Sequence, residues 1–171
     1  MTRAPRLALR LLALAALGLL LGGCGFHLRG VAQLPAAMSR TYLAGASMQN
    51  PVVRSLAQAL RANGVTLVSD PQQAGAVLTI VSINTTQRAL TVSALNQATS
   101  YALETTLVFR AHATQGRWKL PDQSISVQRQ YSLSTAQLQS QGPEERLLQQ
   151  SMTRELANLA LLRLQAHAGA S

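Results

Sequence analysis

Hydrophobic residues recur at helical spacing in two segments of the chain. Between the start signal Asn50-Pro51 and the stop signal Asn63-Gly64, apolar side chains return every three or four positions, which predicts an amphipathic helix. A second helix is predicted from residue 142 to about residue 166, because proline and two carboxylates stand at its start. Its apolar face consists of Leu148, Met152, Leu156 and Leu159.

Three long strands are predicted in the centre of the chain. Residues 76–92 are rich in Val, Ile and Thr, which favour strands. Residues 101–113 alternate between apolar and polar side chains, and so do residues 125–133. Because the links at 93–98 and 116–122 are short and polar, we expect these strands to form an antiparallel meander.

Two shorter β-prone runs complete the pattern. Residues 40–44 predict a short strand, and residues 65–68 form a brief run that ends at the turn signal Asp70-Pro71. The order strand, helix, strands, helix predicts an α+β fold. We expect two helices packed on one face of a mostly antiparallel four-stranded sheet.

The first two dozen residues have the pattern of an export signal. Three arginines precede the apolar run Leu11–Leu21, which is about half the roughly 20 residues that a membrane-spanning helix needs. Gly22 and Gly23 follow, and then Cys24, the one cysteine of the chain. Leu-Gly-Gly-Cys resembles a bacterial lipobox, so Cys24 is expected to carry diacylglycerol and, after cleavage, a further acyl chain.

Lipidation would determine where the protein resides. Several acyl chains hold a protein stably on a membrane, whereas one chain binds only marginally. Gly25 follows the cysteine in place of the aspartate that retains bacterial lipoproteins in the inner membrane. We therefore expect a lipid-anchored protein on the periplasmic side of the outer membrane.

This interpretation divides the chain into a signal peptide (1–23), a lipidated tether (24–37), a single α+β domain (38–167) and a disordered tail (168–171). The whole chain has 171 residues and a formal net charge of +9. Removal of the signal peptide and its three arginines leaves 148 residues and +6. A chain of that length can bury a core without covalent staples. The single cysteine excludes an intrachain disulfide, and three histidines leave little for a metal site.

The residues after the lipobox resemble those of a known family. The LptE family of lipopolysaccharide-assembly lipoproteins begins, after cleavage, with Cys-Gly-aromatic-x-Leu-Arg, which is similar to Cys24-Gly25-Phe26-His27-Leu28-Arg29-Gly30. The family's Leu-x-x-Asn-Gly-Val resembles Leu60-Arg61-Ala62-Asn63-Gly64-Val65 at the end of the first predicted helix. The order of elements agrees over essentially the whole mature chain.

The resemblance implies a function that is not enzymatic. LptE-like proteins sit inside the large outer-membrane β-barrel LptD as its plug and assembly partner, and they bind lipopolysaccharide while the pair delivers it to the outer leaflet. For this chain, the resemblance implies a one-to-one complex with an LptD-type barrel and lipopolysaccharide as ligand. It implies no cofactor other than the acyl groups on Cys24.

Five cations are candidates for contact with lipopolysaccharide, namely Arg88, Arg110, Arg117, Lys119 and Arg129. Arg129 interrupts the apolar side of residues 125–133. It is either a guanidinium suited to a lipid phosphate or an arginine at a sheet edge, which snorkels to water or is paired with Glu104 or Asp122.

The other four candidate cations are considered together at one end of the predicted hairpin that contains residues 116–122. Arg110, Arg117 and Lys119 are expected to cluster beside Trp118, as a patch for anionic lipid or a partner, or as a solvated turn. Arg88 joins this patch if strand pairing brings it across. In the tether, His27 and Arg29 either contact lipid headgroups or the barrel rim, or are simply solvated, and Phe26 is placed to insert beside the acyl chains.

Catalysis and nucleic-acid binding find no support in the sequence. It contains no Gly-x-Ser-x-Gly, no His-Glu-x-x-His and no glycine-rich phosphate loop. An exported lipoprotein does not meet nucleic acid, and aromatic residues for stacking on bases are scarce. Two alternatives remain beside the resemblance, an envelope enzyme acting on peptidoglycan or lipid and a periplasmic adaptor for another machine.

Overall fold

A computed structural model describes residues 33–92, 98–132 and 141–168. The elements of this part of the chain are β1 (Arg40–Ala44), α1 (Pro51–Ala62), β2 (Thr66–Val68), β3 (Ala76–Val92), β4 (Ala98–Ala113), β5 (Lys119–Ser132) and α2 (Gln141–Ala166). Short 3-10 turns at Ala36–Ser39 and Pro71–Gln73 precede β1 and β3. Both predicted helices and the long central strands are confirmed.

The sheet is mixed and has five strands, in the order β2-β1-β3-β4-β5. Strand β1 runs parallel to both β2 and β3, whereas β3, β4 and β5 form the predicted antiparallel meander. Helix α1 carries the chain from β1 back to β2, a connection that produces parallel neighbours. The predicted α+β class with two helices is therefore confirmed, whereas the predicted sheet of four mostly antiparallel strands is wrong, because the sheet has five strands of mixed direction.

Two features of the sequence explain why the observed strands β2 and β5 differ from the predicted ones. Strand β2 has three residues, so its apolar run is too short to show a period of its own. Strand β5 begins at Lys119, within the predicted break, and includes Pro121. Because β5 is an edge strand of the sheet, a residue without an N–H is tolerated there.

The helices cover one face of the sheet and bury a single core. Asn50 begins α1 by accepting a hydrogen bond from the Val52 N–H at 2.9 Å. Phe109 of β4 is fully buried at the centre of the core. The helices bury Val52, Val53, Leu56, Ala57, Leu60, Met152, Leu156, Ala157, Ala160, Leu161 and Leu164. Each large side chain of this kind contributes about 1.5–3 kcal/mol by leaving water.

A β-bulge at Val81 divides β3 into two parts. Ile80 and Ser82 pair with the adjacent residues Phe109 and Val108, so Val81 is an extra residue on β3. An extra residue exchanges the two faces of a strand. The side chains that face the helices are therefore even-numbered before the bulge and odd-numbered after it.

Strand β3 also changes its neighbours at the bulge. β1 pairs with β3 only as far as Ala44 opposite Thr79. Beyond that point, no strand of the described ranges lies against this side of β3. We call residues 76–80 of β3, together with β1 and the core beneath them, the covered part. Residues 82–90 of β3 are called the open edge.

Candidate functional site

The predicted lipidation motif lies outside the described residues. Cys24 and the tether motif Gly25–Gly30 precede residue 33, so their roles stay predictions. Where the description begins, Pro35 is buried and the turn Ala36–Ser39 places Met38 fully inside the core. The chain thus enters the domain at the end that carries the β4–β5 turn, because Ala37 lines a cleft with residues of that turn.

The cleft at the β4–β5 turn holds two of the five candidate cations. It has a volume of about 530 Å³ and contains Arg117 and Lys119 on either side of Trp118. The indole Nε1 of Trp118 donates a hydrogen bond to the carbonyl oxygen of His167 at 3.2 Å. This contact joins the turn to the end of α2. We refer to this site as the turn cleft.

Arg110 lies on β4 near the turn cleft but has an acidic partner. Its guanidinium stands 3.7 Å from the Asp122 carboxylate, and both side chains are about half exposed, at 55% and 54%. An exposed pair of this kind is weak, yet it lowers the positive potential that a lipid phosphate would meet. The described residues offer no such partner to Arg117 or Lys119.

Arg129 forms an ion pair with Glu155 of α2. The sequence-based alternatives for this pairing, Glu104 and Asp122, were both wrong. Arg129 is opposite the buried Leu103 and therefore lies on the side of the sheet where α2 packs. Glu104 points to the other side and accepts a hydrogen bond from the Ser126 hydroxyl at 2.7 Å.

Arg88 does not join the cations at the turn. It pairs with Ala102, whereas Lys119 pairs with His112 at the other end of the same strand. Ten residues of β4 separate these two positions, which corresponds to about 33 Å. The predicted cluster therefore consists of Arg117, Lys119 and the paired Arg110.

A second cleft, which the sequence interpretation missed, opens between the two helices. It has a volume of about 470 Å³, and its floor is formed by Ile83 and Thr85 of β3 with Thr105 of β4. The two threonine hydroxyls are 3.1 Å apart and hydrogen-bonded. We call this site the interhelix cleft. Its remaining lining residues are Asn50, Pro51, Val52, Arg54, Arg146, Gln149, Gln150 and Thr153.

The interhelix cleft is electropositive. Arg54 and Arg146 line it, and none of the lining residues that the structure describes carries a carboxylate. Asn50-Pro51 places the start of α1 in its wall, where the helix dipole is positive. One sequence signal indicates this positive charge: the first turn of α1 has no acidic residue, and Arg54 follows directly.

At the ends of β3, β4 and β5 far from the β4–β5 turn, a tyrosine of β4 stacks on a tyrosine of β5, and a glutamine of β3 contacts the second ring's hydroxyl. Tyr101 and Tyr131 stack with ring centroids 5.5 Å apart, and Gln87 donates a hydrogen bond from Nε2 to the Tyr131 hydroxyl. Burial raises the pKa of Tyr131 above its ordinary 10.0, and the negative charges of Glu145 and ionised Tyr101 add to this increase. The hydrogen bond from Gln87 acts in the opposite direction.

Two further observations on the described residues concern membrane-spanning helices and metal ligands. None of their helices combines the length and hydropathy needed to cross a bilayer. Nowhere in the same ranges do three His, Cys, Asp or Glu side chains come together as metal ligands.

Sequence comparisons match most of the chain to one family. The sequence model of LptE, described as lipopolysaccharide-assembly, matches residues 31–164. The LPS-assembly lipoprotein LptE of Photorhabdus laumondii is 30% identical over 157 residues, which cover 89% of this chain and 81% of that protein. LptE of Yersinia enterocolitica is 38% identical over 68 residues, which cover 40% of this chain and 32% of that protein.

Solved structures share the fold. Lipoprotein B of Nitrosomonas europaea aligns with a TM-score of 0.69 and 23% identity, covering 85% of this chain and 94% of that one. The minor lipoprotein of Acinetobacter baumannii aligns with a TM-score of 0.62 and 22% identity, covering 77% and 94%. The sequence matches confirm the predicted resemblance: the chain belongs to the LptE family, whose members are lipopolysaccharide-assembly lipoproteins and not enzymes.

Proposed function

We propose that this protein is the lipid-anchored subunit of an outer-membrane lipopolysaccharide translocon. In this role it plugs an LptD-type β-barrel in a one-to-one complex, helps that barrel to assemble, and binds lipopolysaccharide on its way to the outer leaflet. The observation that carries the proposal is the family match over residues 31–164, which begins directly after the lipidation motif 24–30.

Acylation of Cys24 would supply the membrane attachment. The helices of the described ranges do not have the length and hydropathy to span a bilayer, and acyl chains on a cysteine anchor a folded domain without such a helix. Eight residues, 25–32, connect Cys24 to the described domain. Fully extended, they reach about 29 Å, so the domain would stay close to the periplasmic surface of the outer membrane.

Of the five candidate cations, Arg117 and Lys119 are best suited to a lipopolysaccharide phosphate. Arg110 and Arg129 each have a carboxylate partner, and Arg88 lies far from the turn. Arg117 and Lys119 flank the half-buried Trp118 in the turn cleft. Two cations beside an indole ring suit the interface between phosphate groups and acyl chains.

Co-expression of the tagged lipoprotein with the LptD-type barrel of the same organism tests the plug role. Purification in mild detergent is expected to recover the barrel in equal molar amount. Recovery of the lipoprotein alone, while the barrel assembles fully in its absence, would contradict the proposal and favour an adaptor for another machine. Metabolic labelling with palmitate checks the anchor, and Cys24→Ser is expected to abolish incorporation of the label.

Charge reversal tests the lipid contact. The double variant Arg117→Glu/Lys119→Glu is expected to bind purified lipopolysaccharide more weakly, with a loss that shrinks as salt increases, because exposed charges are screened. The matched control Arg61→Glu/Arg163→Glu makes the same change in net charge outside both clefts. Equal binding by the two double variants would exclude the turn cleft as the lipid site.

A further inference from the structure

The open edge of β3 presents a row of backbone groups against which no strand of the described residues lies. Residues 82–89 pair regularly with residues 101–108 of β4, between one irregularity at Val81 and another at Leu90. The opposite side of this eight-residue stretch has no strand neighbour within the described ranges. At a sheet edge, about every second residue directs its N–H and C=O outward, so this stretch offers about four such pairs.

The side chains at this edge do not repel a partner strand. Proteins commonly protect an exposed edge with lysine, proline or inward-pointing charges. Between residues 82 and 90, Arg88 is the one charged side chain and there is no proline. Val81 and Leu90, at the two ends of the regular stretch, are large apolar residues with exposures of 45% and 43%. The edge is therefore open, mostly neutral and flanked by apolar side chains.

The interhelix cleft lies on the helix-facing side of the same stretch. Ile83 and Thr85 belong to the open edge and also form part of the cleft floor. A strand added along β3 would direct alternate side chains towards the helices, hence into this cleft. There they would meet Arg54, Arg146 and the positive end of the α1 dipole, with no carboxylate among the described lining residues.

We propose that residues 82–89 of β3 accept an added β-strand from the barrel partner. The strand is an extended segment that carries an acidic side chain directed into the interhelix cleft. This inference rests on the proposed function, because that function names the partner. Recognition combines main-chain hydrogen bonds along the edge with a charge-selective pocket for one alternate side chain.

The charges and backbone chemistry favour this occupant over two others. A second copy of the chain would bring another basic domain, with its own Arg54 and Arg146, against the same surface. Lipopolysaccharide would offer phosphates to the cleft, but acyl chains cannot satisfy a row of N–H and C=O groups. An extended acidic segment satisfies both features.

Proline substitution tests the main-chain pairing, using the full lipoprotein co-expressed with its barrel. Asn84→Pro and Thr85→Pro form a matched pair, because neighbouring residues of a strand direct their N–H groups to opposite sides. One variant should lose a hydrogen bond to β4 and melt at a lower temperature. The other should lose no backbone hydrogen bond, melt closer to the unmodified protein and recover roughly tenfold less barrel. Full barrel recovery by a stable proline variant would overturn the inference.

Charge reversal in the interhelix cleft tests whether the partner strand directs an acidic side chain into it. This experiment decides the inference if both proline variants unfold. Arg54→Glu/Arg146→Glu is expected to recover roughly tenfold less barrel, and more so at low salt, while the control Arg61→Glu/Arg163→Glu recovers it normally. Unchanged recovery would overturn the inference.

The remaining outcomes separate the inference from the proposed function. If Arg54→Glu/Arg146→Glu binds less lipopolysaccharide but retains the barrel, the cleft is a lipid site and the inference fails. If the edge captures a differently tagged second copy in place of the barrel, it also fails. If the unmodified lipoprotein recovers no barrel at all, the proposed function fails together with the inference. Barrel recovery that no variant alters would contradict the inference alone.

Discussion

The two parts of strand β3 differ in composition and in surroundings. In the covered part, β3 lies between β1 and β4, and Ala76, Leu78 and Ile80 are buried. Along the open edge, Ile, Thr and Ala still recur among polar residues, and no residue of β3 is buried. Strand propensity is thus satisfied in both parts. What also differs is whether β1 lies against the strand.

This difference assigns separate roles to the two ends of the β3–β4 hairpin. The covered part supplies the packing that holds the fold together. The open edge is held mainly by its pairing with β4, which still buries Leu103 and Thr105 on the helix-facing side. Side chains along the open edge can therefore change with little loss of stability, which is the property expected of a surface that a partner selects.

The largest expected effect is loss of stability in the covered part. Phe109 is fully buried opposite Ile80, and Phe109→Ala would leave a cavity at the centre of the core. We expect the free energy of unfolding to fall by about 3–5 kcal/mol in urea denaturation. Leu90→Ala is the matched control, because it shortens an apolar side chain at the end of the open edge. It should change the free energy of unfolding by less than about 0.5 kcal/mol. Similar losses for the two variants would contradict the division.

Local signals predicted most of the covered part. Capping by Asn50, proline at the first position and the stop at Asn63-Gly64 define α1 without reference to any other element. The bounds of β1, β3 and α2 also agree closely with those predicted from β-prone residues and from the start signal of the second helix. These elements were predictable because the residues that determine them lie within a few positions of one another.

The features around the open edge depend on which elements contact one another in the fold. The hydrophobic periodicity of the sequence carries no information about those contacts. The bulge at Val81 is visible only as a register between β3 and β4. The partner of Arg129 is 26 residues away on α2, and the interhelix cleft gathers Arg54 and Arg146 from separate helices. Arg129 is recognisable in the sequence because it interrupts an apolar face. Its partner Glu155 is not, because no local pattern fixes how α2 lies on β5.

A smaller effect is expected at the tyrosine pair beside the open edge. Tyr131→Phe removes the hydroxyl that accepts a hydrogen bond from Gln87, which should lower the free energy of unfolding by about 0.5–1.5 kcal/mol near neutral pH. Because Gln87 is exposed and can bind water in place of the phenol, we expect the low end of this range. A loss as large as that of Phe109→Ala would contradict the minor contribution expected of this hydroxyl.

The raised pKa of Tyr131 gives the same variant a pH signature. The folded state holds the phenol proton more tightly than the unfolded state, whose pKa is near 10.0. The resulting stability is complete below that value and is lost as pH rises through the higher pKa of the folded state. Urea unfolding measured from about pH 9 to about pH 11 should show this loss in the unmodified chain and in Gln87→Ala, but a reduced loss in Tyr131→Phe.

The smallest expected effect is at the ion pair that links β5 to α2 beside the open edge. Arg129 and Glu155 have side-chain exposures of 42% and 41%, so solvent screens their attraction. A double-mutant cycle with Arg129→Gln and Glu155→Gln should give a coupling energy of about 0.2–1 kcal/mol that decreases as salt is added. The more exposed pair of Arg110 and Asp122, 3.7 Å apart, should give less. A coupling of several kcal/mol that persists in high salt would mean that α2 holds the far end of the sheet as firmly as the core holds the covered part, and the contrast between the two parts would no longer stand.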